Sequence, residues 1–206
     1  MTPDLSALLA AARGLVPAGC ALGVADPRAD WPAFPGETVR GVPKRIAEFR
    51  AGREAARAAL AELGLPARPL PAGPDRAPIW PLGVAGSITH SERLCLAVAG
   101  RFRAMGVDLE PAIALPAELR DSVLVPEEAE ATDHEAKLIF SAKEAVYKAQ
   151  YGLTRQMLGF DSVAVTIAPG QFSARFRQDV GVIPAGRVIS GRWTDVSGHF
   201  LTLVCL

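Results

Sequence analysis

The seven residues Met105-Gly106-Val107-Asp108-Leu109-Glu110-Pro111 constrain the fold more than any other stretch, because apolar and acidic side chains alternate in them until a proline ends the pattern. Side chains alternate faces along a strand, so Val107 and Leu109 point one way and Asp108 and Glu110 the other. Two carboxylates on one face, about 7 Å apart or less, repel each other unless a cation sits between them. Mg2+ commonly takes a few protein carboxylates and keeps its remaining positions for waters and substrate phosphates. The residues by themselves fit equally well a strand whose acids simply end in water.

A second stretch runs Phe140-Ser141-Ala142-Lys143-Glu144-Ala145-Val146-Tyr147-Lys148-Ala149. Its period is helical, with Leu138, Ala142, Ala145 or Val146, and Ala149 on one side and Lys137, Ser141, Glu144 and Lys148 on the other. Glu144 and Lys148 are an i,i+4 pair, so one helix face offers a third carboxylate and a cation. In isolation such a pair is a solvent-exposed contact contributing a few tenths of a kcal/mol.

The rest of the chain divides by the same signals. At 206 residues with balanced charge, it can bury a sizeable core and shows no bias toward nucleic acid or a membrane surface. No segment approaches the roughly 20 uninterrupted apolar residues of a membrane span. Leu5 to Val24 is rich in Ala and Leu, but Arg13 and Pro17 interrupt it, and it reads as an amphipathic helix over 4–15 and a strand over 20–25 rather than a secretion signal. Cys20, Cys95 and Cys205 lack metal-ligand spacing and are expected as buried, reduced thiols in a cytoplasmic protein.

A helix is predicted from Pro43 to Leu63, with an apolar stripe of Phe49, Ala56, Leu60 and Leu63 that passes through Arg53. Arg45 lies two turns earlier on nearly the same face. An arginine on a core stripe needs an anion or a cleft, and the alternative is that both snorkel to the surface beside Glu48 and Glu54. Residues 65–83 are dense in Pro and Gly and form a loop or lid, in which Trp80 is expected to anchor packing. Strands follow over 83–90 and 94–99, with His90 at a strand end. Helix starts are expected at Pro116 to Leu124 and Pro126 to Ala131, then a long helix over 132–151 ending at Gly152, and four strands over 162–168, 171–177, 187–195 and 199–206. The expected class is α+β, with lobes over 1–104 and 105–206, each a small antiparallel sheet packed on a long helix, and no repeat visible in residue identity.

Taken in order, Lys44-Arg45-Ile46-Ala47-Glu48-Phe49 with Gly52-Arg53, then Trp80-Pro81, Gly86-Ser87-Ile88-Thr89-His90-Ser91, Gly106-Val107-Asp108-Leu109-Glu110 and the Phe140 to Ala149 run resemble the 4'-phosphopantetheinyl transferases, specifically the enterobactin-synthetase component D subgroup of the Sfp-like class. The resemblance covers roughly residues 40 to 206. It implies two lobes related by a pseudo-twofold with the active site in the cleft between them, and transfer of the 4'-phosphopantetheine arm of coenzyme A to a serine of an apo acyl or peptidyl carrier protein, releasing adenosine 3',5'-bisphosphate. By the same resemblance, Asp108, Glu110 and Glu144 hold Mg2+ or Mn2+, and Arg45, Arg53, Arg76, Thr89, His90 and Lys148 meet the coenzyme A phosphates. Thr89 stands where serine is more usual. Glu144 is the implied general base, with Lys148 and His90 neutralising phosphate charge and a metal-held water as the alternative proton relay. The carrier is expected to dock near Leu115 to Val125, steered by Arg120, Lys137 or Arg155, and the chain is expected to act as a monomer. The alternatives are a metal-dependent phosphohydrolase and a non-catalytic coenzyme A or carrier binder.

Overall fold

The structure, a computed structural model, describes residues 4–206; the first three positions of the expected N-terminal lobe lie outside the described residues. The chain divides between Phe102 and Arg103 into two compact units.

In the first unit, α1 (Leu5–Leu15), β1 (Cys20–Ala25), α2 (Pro43–Glu62), β2 (Ala85–His90) and β3 (Cys95–Gly100) follow in order. The strands form an antiparallel sheet in the order β1-β3-β2. Pro43 opens α2, where its missing N–H costs nothing. The alanines of α2 pack with Ala21, Ala97 and Ala99 into one buried cluster, and such small residues allow helix and sheet to approach closely. Gly23 makes the closest approach: a Cβ there would lie 1.9 Å from the carbonyl oxygen of Ala55. The Pro- and Gly-rich loop is sealed by Trp80, whose ring covers Gly86.

In the second unit the order is β4 (Met105–Pro111), α3 (Ala117–Val123), α4 (Asp133–Thr154), β5 (Val163–Ala168), β6 (Gln171–Phe176), β7 (Val188–Val196) and β8 (His199–Cys205). These five strands form an antiparallel sheet ordered β4-β8-β7-β6-β5, with Asp108 opposite Thr202 and Glu110 opposite Phe200. One face packs on Ala142, Ala145, Val146 and Ala149 of α4, with Phe172 and Phe176 behind. Each such fully buried large side chain contributes about 1.5–3 kcal/mol.

Both units thus set an antiparallel sheet against a long helix, the expected α+β arrangement. Three details differ from the sequence-based expectation. The long helix does not stop at Gly152 but runs on to Thr154, because Arg155 adopts the left-handed conformation (φ 56°) that closes it. Pro126 to Ala131 yields only a single 3-10 turn, Pro126–Glu128. Cys95 is buried, but Cys20 and Cys205 are only half-buried; all three are free thiols.

Candidate functional site

The acidic site is assembled inside the second unit. Thr132 starts α4 with a capping box to Glu135, which fixes the helix phase. One stripe of the helix, Lys137, Ser141, Glu144 and Lys148, then runs along the polar face of β4. Asp108, 4% exposed, takes the Ser141 hydroxyl on Oδ2 (2.9 Å) and the Lys148 ammonium on Oδ1 (2.7 Å). Lys148 also donates to the Val107 carbonyl at 3.1 Å. Lys137 lies 2.5 Å from Glu110 Oε2, with its ammonium over the Phe140 ring. Thr202, buried on β8, sits 3.0 Å from Ser141 Oγ and completes the polar seam.

Glu144 lies between these pairs. Burial pushes its carboxyl above the ordinary value, the charges of Asp108 and Glu110 push it further, and Lys148 pulls it back. All three carboxylates therefore act on one another. They are not already gathered into a cage: among the described residues, no three His, Cys, Asp or Glu side chains stand close enough to share an ion. Two of them have an ammonium partner instead, Lys148 on Asp108 and Lys137 on Glu110. As donors the set is chemically suited to a hard divalent cation, which prefers carboxylate oxygen.

Beside Glu144, a groove of about 260 Å³ is walled by Tyr147, Met157, Leu158 and Phe160. Its lining is largely apolar, and Glu144 is at its edge.

The basic residues belong to the first unit. Arg45 is exposed at the start of α2, with Nη1 3.4 Å from His90 Nε2, and His90 Nδ1 lies 3.9 Å from Glu48. Arg53 is 5% exposed. Its Nε donates to the Leu70 carbonyl at 2.6 Å and its guanidinium stacks on Phe49, so it does not snorkel. Burial lowers it to about 10, Glu37 opposes that, and Arg45 and Arg57 add to it; it remains a cation at neutral pH. Arg57 is fully engaged by Glu37 and Glu54.

Two further residues belong to the expected set. Arg76 is exposed in a left-handed turn (φ 67°) of the Pro- and Gly-rich loop. Thr89, 3% exposed, alternates with His90 and turns to the opposite face of β2. Of the expected steering cations, Lys137 has a side chain only 12% exposed and paired with Glu110, and Arg120 is tied to Asp133 at 2.6 Å.

Sequence reasoning found the acidic stripe but missed Thr202, whose one available signal was a hydroxyl inside the apolar run Phe200 to Val204.

Residues 37–100 match the family model described as the 4'-phosphopantetheinyl transferase N-terminal domain, and residues 104–190 match the 4'-phosphopantetheinyl transferase superfamily. The chain is 41% identical over 199 residues to 4'-phosphopantetheinyl transferase Npt of Nocardia iowensis, covering 85% of this chain and 90% of that protein. It is 37% identical over 192 residues to 4'-phosphopantetheinyl transferase Svp of Streptomyces mobaraensis, covering 85% and 78%. To enterobactin synthase component D of Salmonella typhi it is 35% identical over 171 residues, covering 78% and 72%.

Proposed function

Because the chain belongs to the 4'-phosphopantetheinyl transferases, enzymes that move phosphopantetheine onto carrier proteins, we propose that it draws the arm from coenzyme A and that Glu144 is the residue its chemistry turns on. The serine oxygen of the carrier attacks the phosphorus that bears the pantetheine arm. The bond from that phosphorus to the bridging oxygen breaks, and adenosine 3',5'-bisphosphate leaves. A displacement of this kind asks the protein to neutralise phosphate charge and to align the hydroxyl.

Asp108, Glu110 and Glu144 would hold a divalent ion, Mg2+ or Mn2+, which when bound neutralises pyrophosphate charge. Lys148, on the same stripe, is positioned to meet a phosphate oxygen. Glu144 accepts the serine proton. Arg45 and Arg53 would supply cations and His90 a ring nitrogen for the remaining phosphates, and the apolar groove beside Glu144 suits the uncharged arm. Arg76 and Thr89 would add further contacts to the coenzyme A phosphates.

The observation that carries the reading is the packing of one α4 stripe along β4, with Ser141 and Lys148 on Asp108, Lys137 on Glu110, and Glu144 on the same stripe. Its test is Glu144→Gln, assayed by mass spectrometry of an apo carrier with coenzyme A and Mg2+. The variant should lose nearly all transfer and still bind coenzyme A. Near-native mass gain on the carrier would remove Glu144 from the mechanism. Consumption of coenzyme A by the unaltered protein with no change in carrier mass would indicate hydrolysis instead.

A further inference from the structure

We propose that Lys137 is an internal competitor for the divalent ion: its ammonium holds Glu110 Oε2 and opposes the recruitment of that carboxylate by an ion, so Lys137 sets how tightly the acidic site binds metal. This rests on reading Asp108, Glu110 and Glu144 as the donors.

The geometry singles out Lys137 within the stripe. Its Nζ lies 2.5 Å from Glu110 Oε2, and the side chain is largely enclosed, so the pair is partly desolvated and stronger than a surface contact. Asp108 is tied differently. One of its oxygens takes Ser141 and the other takes Lys148, whose ammonium also has the Val107 carbonyl. Glu110 has Lys137 as its ion-pair partner among the described residues, so an ion on Oε2 must replace that ammonium and an ion on Oε1 must bind against its charge. The ammonium is not stranded when it gives up Glu110, because it already lies over the Phe140 ring, 4.8 Å from the centroid, and can keep that cation–π contact.

The exchange also accounts for charge. Two ammonium groups, Lys137 and Lys148, face three carboxyl groups along the seam. A divalent ion on Glu110 takes over the counter-charge that Lys137 supplies, while Lys148 stays with Asp108. A neutral residue at position 137 would leave Glu110 without its counter-ion and available to metal.

The test is Mn2+ binding to the full chain without coenzyme A, read from the electron paramagnetic resonance signal of free Mn2+. Lys137→Met should bind Mn2+ about tenfold more tightly than the unaltered protein, equivalent to about 1.4 kcal/mol. Lys137→Arg keeps a cation and should stay within about twofold of it on the same scale. Glu110→Gln should weaken binding. If Glu110→Gln weakens Mn2+ binding while Lys137→Met leaves it unchanged or weaker, the competitor role is overturned and the metal reading stands. If Glu110→Gln has no effect, the metal reading itself falls, and the role of Lys137 with it. Should Lys137→Met fail to give a folded protein by circular dichroism, Lys137→Gln carries the same expectation of tighter binding. A general structural loss would weaken metal binding, so only the predicted gain supports the proposal.

Discussion

The two units solve one packing problem with the same devices and then diverge in charge. In each, the strand that precedes the long helix pairs with the unit's last strand, β1 with β3 and β4 with β8. In each, a strand glycine takes the helix backbone at contact distance: Gly23 against Ala55 and Ala59, Gly106 against Ala145 and Ala149. In each, a buried carboxylate ahead of the helix binds a helix cation and a backbone N–H beyond the helix. Glu37 takes Arg57 and the Leu70 N–H; Glu128 takes Lys143 and the Val165 N–H. The two helices differ in charge at these positions: α2 carries Arg45 and Arg53, whereas α4 carries Glu144 near Asp108 and Glu110 of β4. The scaffold therefore repeats in geometry while the functional groups do not, which is why no repeat shows in residue identity.

The comparison breaks most sharply at the buried pairs. Removing one partner leaves an uncompensated charge, so Arg57→Met and Lys143→Met should each cost about 3–5 kcal/mol in urea unfolding. A similar loss in both would establish the devices as equivalent, and a small loss for either would end the parallel. Lys143 is the harder case to sustain. It is 3% exposed, and burial lowers its ionisation against the pull of Glu128.

The glycines come next. Gly23→Ala and Gly106→Ala place a Cβ 1.9 Å from a carbonyl oxygen that belongs to the helix backbone. Each should lose about 3 kcal/mol, the upper range for overpacking, read as a fall in the urea midpoint. Wild-type stability in either would mean the helix can step back.

The polar faces differ in their response to pH. Glu144 has a carboxyl raised above 4.5 by burial first and then by Asp108 and Glu110. The folded protein thus favours its protonated form; that stability is full below 4.5 and is lost as pH rises through the raised value. Glu144→Gln mimics the neutral form, so in chelator its Tm should exceed the unaltered protein's at neutral pH and converge with it below 4.5. Arg53, lowered only to about 10, should give the basic unit no matching dependence in that window.

The smallest expected effect separates the cysteines. Burial, then Glu48 and Asp26, push the Cys95 thiol up to about 12. At about pH 8, iodoacetamide should alkylate Cys20 and Cys205 while native Cys95 stays intact, since thiolate is the reacting form. Rapid native labelling of Cys95 would show that α2 opens away from β3.

Much of this was legible in the chain itself. Alternation placed Asp108 and Glu110 on one face of β4, and a period of 3.6 placed Lys137, Ser141, Glu144 and Lys148 on one side of α4. Those regularities are local, and local steric rules enforce them. The helix end was misjudged because glycine is the usual left-handed residue, yet Arg155 adopts that conformation while Gly152 stays helical. Lys137 read as a surface cation because nothing within its own helix shows that Glu110, 27 positions earlier, lies beside it.

What the sequence determined by itself was the α+β class, the acidic strand, the helix stripe and the family, since each is written in spacing over a few residues or in ordered motifs. Only the tertiary structure decided the pairings: Lys137 with Glu110, Thr202 with Ser141, Glu37 with Arg57, and the glycines that let helix and strand touch. Such contacts join residues tens of positions apart, and their energies depend on distance and burial, which come into existence only when the chain has folded.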